Sequence, residues 1–353
     1  MAFTRQYYAS QGLYIKPVGS TGVYSFVHGV QSCSETFNIN TQNINEWGQI
    51  APYEIVETTP EGTLQVERVL DGCAPLYLLA TEGASAASLT GRQDVKSVLA
   101  VGMFDSAVSY VSGTPGRTIE WSGLNVNSVG FSFNTDGAFT ESVGFVGNYR
   151  LPANTASYGS FPTNPTSSGN DQPCALTSCS GGVQLKENIV FTGTYPTLMP
   201  KDISGVTSSG TVPISNGCPA IPITSISINC DLNRETVFQL GCRGAYARYA
   251  QFPVDVTCEI SVLSQSGDKV SVTELGTFDG CDYSNASPQR IRICTTDGLV
   301  VDLGSKLKLT SLATQFGGAD GGNTTYTLTY TGQSVLSVFH PNDPSAFVYA
   351  GNP

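Results

Sequence analysis

The chain has 353 residues and a formal net charge of −11, and only 13% of its residues are charged, roughly half the usual globular share. Ser, Thr, Asn, Gln and Gly must therefore cover much of the surface, which suits broad packed contacts. The acidic balance argues against a protein that grips nucleic acid through its phosphates, because such proteins cluster Lys and Arg on one face. It is compatible with a surface past which DNA moves without sticking. With 38 Gly, 19 Pro and 10% aromatics, an all-β fold of short strands and tight turns is expected, and the length predicts two domains. The stretch Met1 to Tyr8 has no basic run followed by an apolar one, and about 18 consecutive apolar residues occur nowhere. Neither an export signal nor a membrane anchor is expected.

In chain order, the first domain is expected over 1–152. Asn40 reads as the cap of a short helix with Ile44 and Trp47 as apolar contacts, and Gly48 is placed to end it. Leu124, Val126, Val129, Phe131 and Phe133 then alternate with period two, except that the parity switches at Ser128, as a β-bulge requires. Asp136-Gly137 is a turn signal, and Val143 and Phe145 resume the alternation. Residues 153–216, rich in Ser, Thr, Asn, Pro and Gly, read as a linker with one further strand at 183–191.

A second domain is expected over 217–340, followed by a tail at 341–353. Ile226, Ile228, Cys230 and Leu232 form one strand stripe, and Val254, Val256, Cys258, Ile260 and Val262 another. Between them Asn233 caps a predicted helix over Arg234–Leu240 that ends at Gly241. Val237, Phe238 and Leu240 would plug one end of a sandwich. Arg290 to Ile293 leads to a turn at Thr296-Asp297-Gly298. Leu307, Leu309 and Leu312 alternate with a parity switch at Ser311, ahead of the turn signal Asp320-Gly321 and of Tyr326, Leu328 and Tyr330.

These segments repeat. A shift of 193 positions sets Val30 to Pro60 against Ile223 to Pro253, pairing Asn40 with Asn233, Gly48 with Gly241 and Tyr53 with Tyr246. A shift of 183 sets the irregular alternation around Ser128 against that around Ser311. The difference corresponds to a longer loop in the first copy, and surface loops tolerate such insertions.

Little in the chain points to reaction chemistry. The two histidines, His28 and His340, stand in no ligand or triad spacing. Ten cysteines without an export signal are expected to begin as thiols, mostly buried. Cys174 and Cys179 are a candidate local disulfide, since no second pair completes a metal site. Asp279-Gly280-Cys281-Asp282 lacks the spaced carboxylates of a calcium loop. No catalytic, cofactor-binding or metal-binding residue is expected.

Ile223 to Ile228, Asp231-Leu232-Asn233-Arg234-Glu235, Phe238-Gln239-Leu240-Gly241, Tyr246, Tyr249 and Phe252-Pro253-Val254 together resemble the tail tube proteins of tailed phages. In the first copy Glu46-Trp47-Gly48-Gln49, Tyr53-Glu54, Val69-Leu70-Asp71-Gly72 and Asn134 to Ser142 resemble them too. The resemblance implies two tandem related β-sandwich or barrel-like domains, each with one short helix, joined by the Ser/Gly/Pro-rich linker. It implies self-association into stacked rings of a virion tail, assembled in the host cytoplasm, with double-stranded DNA passing through non-specifically. Asn40, Trp47, Gly48, Tyr53, Asn233, Phe238, Leu240, Gly241, Tyr246 and Phe252 become the assembly candidates. Other tail proteins (sheath, tape measure, baseplate, terminator) are the implied partners, and no cofactor is. Three chains of two copies supply six units, which favours a pseudo-hexameric trimer over a hexamer in which one half decorates the outside. A baseplate hub, a tail terminator, a capsid decoration protein and a secreted adhesin are the alternatives.

Overall fold

Residues 255–263 illustrate why this chain forms strands. Val256, Cys258, Ile260 and Val262 are buried while Asp255 and Glu259 face outward, and that period of two fits only a pleated, half-buried strand. The computed structural model describes residues 10–19, 24–104, 115–153, 182–203, 205–242, 244–264, 290–317 and 322–349, and these are predominantly strand. The chain is all-β, as expected.

The first half contains β1 (Gln11–Pro17), β2 (Ser25–Phe26), β3 (Val30–Asn38), β4 (Thr41–Ile44), β5 (Glu54–Glu57) and β6 (Glu61–Val69). Two short helices, α1 (Leu76–Ala80) and α2 (Leu89–Arg92), precede β7 (Lys96–Met103), β8 (Arg117–Asn134), β9 (Thr140–Gly147) and β10 (Tyr149–Ala153). The second half holds β11 (Ile214–Ser215), β12 (Cys218–Pro219), β13 (Ile223–Asp231), β14 (Arg234–Phe238), β15 (Ala245–Ala250) and β16 (Asp255–Leu263). It ends with β17 (Arg292–Cys294), β18 (Val300–Asp302), β19 (Lys308–Gln315), β20 (Thr325–Gln333) and β21 (Ser337–Phe339).

In the principal sheet β3-β6-β9-β8 is followed directly by β13-β16-β20-β19, all antiparallel. The order within the first four strands is that of the last four, and their irregularities coincide. The β8–β9 register shifts between Val126 and Ser128, and β19–β20 shifts between Leu309 and Ser311. The β3–β6 register shifts between Val30 and Ser32, and β13–β16 shifts between Ile223 and Ser225. Each pair of bulges sits at the spacing, 183 or 193, found in the sequence.

The halves differ in what they add to this frame. The amino-terminal part of β8 pairs with β7 and β10, and β7 carries β1 and β2. The second half instead has the small sheet β17-β18-β21. The apolar face of the principal sheet, including Leu64, Phe131, Val143, Ile228, Ile260 and Leu328, packs with Leu76 and Leu78 of α1 in one continuous core. Near α1, the buried Glu141 carboxylate accepts the N–H groups of Leu76 (2.7 Å) and Tyr77 (2.8 Å). Arg68 lies 3.8 Å from that carboxylate and pairs with Asp71 at 2.7 Å.

Three expectations need correction. The predicted helices at 40–48 and 234–240 are hairpins, β4–β5 and β14–β15; Thr236, Val237 and Phe238 favour the extended backbone. The strand expected at 183–191 is a 3-10 turn at Lys186–Asn188, where Asn188 Oδ1 accepts the Leu185 N–H at 2.8 Å. The described part of the expected linker is packed, with Met199, Ile203 and Val212 buried in the core and Leu198 exchanging backbone hydrogen bonds with Arg292.

Because β8 and β13 join both halves through backbone hydrogen bonds, the frame should unfold as one unit. Ile228→Ala, which opens a cavity at that junction, should cost about 2–5 kcal/mol and shift a single urea transition followed by circular dichroism. Two separable transitions would contradict this.

Candidate assembly surface

The ten candidate residues all lie on or beside the two hairpins, whose strand pairing and tips correspond at positions 193 apart. Thr41 faces Glu57 in β4–β5, and Arg234 faces Ala250 in β14–β15. At the tips the Gln49 N–H donates to Glu46 O (3.2 Å) and the Cys242 N–H donates to Gln239 O (3.3 Å). Gly48 and Gly241 occupy the third turn position with φ of 97° and 88°, which a β-turn of this kind reserves for glycine. The same left-handed conformation ends many helices, which is why the two glycines read as helix stops.

Both tips point a large apolar side chain into solvent. Trp47 is 103% exposed and its counterpart Leu240 99%. Tyr53, Phe238, Tyr246 and Phe252 are exposed as well, so the expectation that Val237, Phe238 and Leu240 fill the sandwich interior is wrong. Asn40 holds the foot of its hairpin through a bond from Nδ2 to Thr59 O (3.0 Å), and Asn233 turns the chain with φ of 42°.

The roots of the hairpins differ. Arg234 donates to Val126 O (2.6 Å) and Gln93 O (2.6 Å). Arg248 donates to Asn148 Oδ1 (2.7 Å) and Glu61 Oε1 (2.9 Å). Two arginines thus pin β14–β15 across the first half. Burial pulls the Arg234 guanidinium down to about 10, opposed by Asp94 and Tyr77. The corresponding positions in β4–β5 are Thr41 and Ile55, and both are exposed.

The second face of the principal sheet is a field of short polar side chains. One cross-strand row reads Ser32, Glu67, Ser142, Gly130, Asn229, Thr257, Thr331 and Lys308. A neighbouring row contains Thr140, Ser132, Ser227, Glu259, Thr329 and Ser311. Gln65 Nε2 donates to Ser142 Oγ (2.6 Å), and Asn229 Nδ2 donates to Ser227 Oγ (3.2 Å). In these two rows Lys308 is the sole cation against Glu67 and Glu259.

At the two ends of the principal sheet, β3 pairs only with β6 and β19 only with β20 among the described residues. Sequence reasoning missed what these edges expose: the repeat was visible, but which of its strands would lie outermost was not.

The remaining candidates bring no reactive cluster together. Cys174, Cys179 and Asp279 to Asp282 lie outside the described residues. Cys73 is disulfide-bonded, so at least one cysteine departs from the expected thiol state. Among the described residues no group of three or more His, Cys, Asp or Glu could hold a metal ion. His340 Nε2 lies 3.7 Å from Asp297 Oδ2, and its Nδ1 accepts the Asn342 N–H at 3.1 Å. Burial would raise the Asp297 carboxyl, but the adjacent His340 and hydrogen bonds from Thr295 and Leu299 outweigh it and hold the group low. The turn expected at Thr296-Asp297-Gly298 is closed by the Gly298 N–H, which donates to Thr295 O at 3.0 Å. Among the described residues no helix is long and apolar enough to cross a membrane.

No family model matches the chain, and no curated protein matches it significantly. Among solved structures, a chain of the anti-feeding prophage baseplate, determined by cryo-EM and sixfold symmetrised, is similar over 44% of this chain and 99% of its own, at 9% identity and a TM-score of 0.32.

Two outcomes follow from the exposure pattern. Trp47→Ser and Leu240→Ser should each change the thermal stability of the dilute protein by no more than about 0.5 kcal/mol, as for other surface positions. Burial pushes the Cys230 thiol up to about 12 and the Cys294 thiol up to about 11, and raises Cys258 as well. A thiol reagent at about pH 8 should therefore modify exposed Cys218 and Cys242 in the native protein and reach the buried three only on unfolding.

Proposed function

We propose that the chain is a non-catalytic structural protein of a phage tail, and specifically a subunit of the tail tube. The observation that carries this reading is the recurrence of one four-strand unit, bulges included, fused through β8 and β13 into an eight-strand run of a twelve-strand sheet, whose two ends are unlike and open among the described residues. A subunit whose two ends differ associates head to tail, and such contacts close into rings or run on as filaments. Closure also removes the strand edges that otherwise invite uncontrolled association. Three chains supply six four-strand units, which favours the trimeric ring with pseudo-sixfold shape.

The polar face suits the inside of such a ring. Short hydroxyl and amide groups engaged with one another leave few donors for phosphate, and the carboxylates repel it, so double-stranded DNA would pass without being held. The exposed hairpin tips suit contacts with further rings and with other tail proteins, since large exposed apolar groups mark interaction sites. The resemblance to tail tube proteins in Asp231 to Glu235, Phe238 to Gly241 and Asn134 to Ser142 supports the same reading.

Electron microscopy of the purified full-length protein tests it. Stacked rings with a central hole are expected, and Trp47→Ser combined with Leu240→Ser should shorten or abolish the stacks. Single rings that never stack would favour a baseplate or terminator component. Dispersed monomers at high concentration would contradict the proposal.

A further inference from the structure

The internal junction between β8 and β13 specifies how the open ends of the sheet are completed. Shifting β13 back by 193 gives β3, and shifting the carboxy-terminal part of β8 forward by 183 gives β19, so the two edges that are free among the described residues are copies of the two strands that already pair inside the chain. Their exposure supports the comparison. Phe133 on β8 is 2% exposed, whereas its counterpart Phe316, just beyond β19, is 79% exposed; Leu232 beside β13 is 1% exposed, whereas its counterpart Ile39 is 58% exposed. Each edge leaves bare an apolar group whose counterpart at the junction is buried.

We infer that β3 of one chain pairs antiparallel with β19 of a second copy, in the register of β13 on β8. The proposal rests on the ring reading above and adds the seam and its register. The pairs Cys230/Val129, Asn229/Gly130, Ile228/Phe131 and Ile226/Phe133 become Phe37/Leu312, Thr36/Ala313, Glu35/Thr314 and Cys33/Phe316. The hairpin β4–β5 then lies over the neighbour's β19 bulge, as β14–β15 lies over the β8 bulge at Val126, and the exposed Ile39 is covered. Polar Ser32, Ser34, Thr36 and Asn38 continue the row side of Ser225, Ser227, Asn229 and Asp231, so the polar face runs on across the seam.

The register predicts which residues meet. The Leu232 N–H donates to Asn127 O at 2.8 Å, and hydrogen-bonded pairs alternate from there, which makes Asn229/Gly130 a close, non-hydrogen-bonded pair. Its transferred counterpart is Thr36 facing Ala313, at the Cα separation of about 4.5 Å that a disulfide can span.

The test uses the full chain carrying Thr36→Cys and Ala313→Cys, oxidised under assembly conditions and run on non-reducing gels. Reductant-sensitive oligomers should exceed those of either single variant by at least about tenfold. Thr36→Cys with Leu312→Cys, one residue out of phase and on opposite faces, should stay at the single-variant level. Rings seen by microscopy without cross-linking of the facing pair, or with equal cross-linking of the out-of-phase pair, would overturn the seam and leave the ring reading standing. Neither rings nor cross-links would overturn both. Phe316→Asp provides a second probe: the chain should fold as before, because that side chain is exposed, yet fail to assemble, and normal assembly of this variant would overturn the seam.

Discussion

The structure depends on one backbone ladder, in which seven consecutive residues of β13 lie against β8. Each hydrogen bond there contributes only about 0.5–1.5 kcal/mol net, but the ladder fixes geometry as well as stability. It carries the apolar row Phe131, Ile228, Cys258 and Tyr330 across the boundary between the halves, so the main core is shared by both. It also makes the two outer edges unlike each other, and that asymmetry underlies the proposed head-to-tail assembly.

The composition becomes intelligible from this arrangement. A sheet with one face in the core and the other lined by Ser, Thr, Asn and Gly needs few charges, and the chain has few. The charged groups it does bury act as fixed parts: Arg68 and Glu141 secure the start of α1, and Arg234 and Arg248 fasten the second hairpin to the first half. Removing one member of such a buried pair leaves the other charge without compensation, which costs more than the pair contributes. The first hairpin has exposed Thr41 and Ile55 at the arginine positions, so its root lacks the charged fastening of the second.

Much of the frame was legible in the sequence because alternation and its interruptions are local signals. The parity switches at Ser128 and Ser311 mark register shifts in the structure, and the stripes of β13 and β16 stand where their spacing placed them. The hairpins were misread because an Asn followed eight positions later by a Gly, with apolar residues between them, fits a capped helix as well as a strand and turn. Only the partner strands β5 and β15, contributed from beyond each turn, distinguish the two. The segment 182–213 was misread because Ser, Gly and Pro suggest a loose connection, whereas Met199, Ile203 and Val212 gain their burial from a distant sheet. The candidate residues gather on the two hairpins, but their outward orientation depended on tertiary context.

The most direct test of the account is residue-resolved hydrogen exchange on the isolated chain and on assembled particles. Strand geometry points the N–H groups of Cys33, Glu35 and Phe37, and those of Leu312, Thr314 and Phe316, away from the existing sheet. These six amides should exchange rapidly in the isolated chain and become strongly protected on assembly, whereas those of Ser34 and Thr36, which face β6, should be protected in both. Unchanged rapid exchange at β3 and β19 in assembled particles would contradict the claim that neighbouring copies complete the sheet.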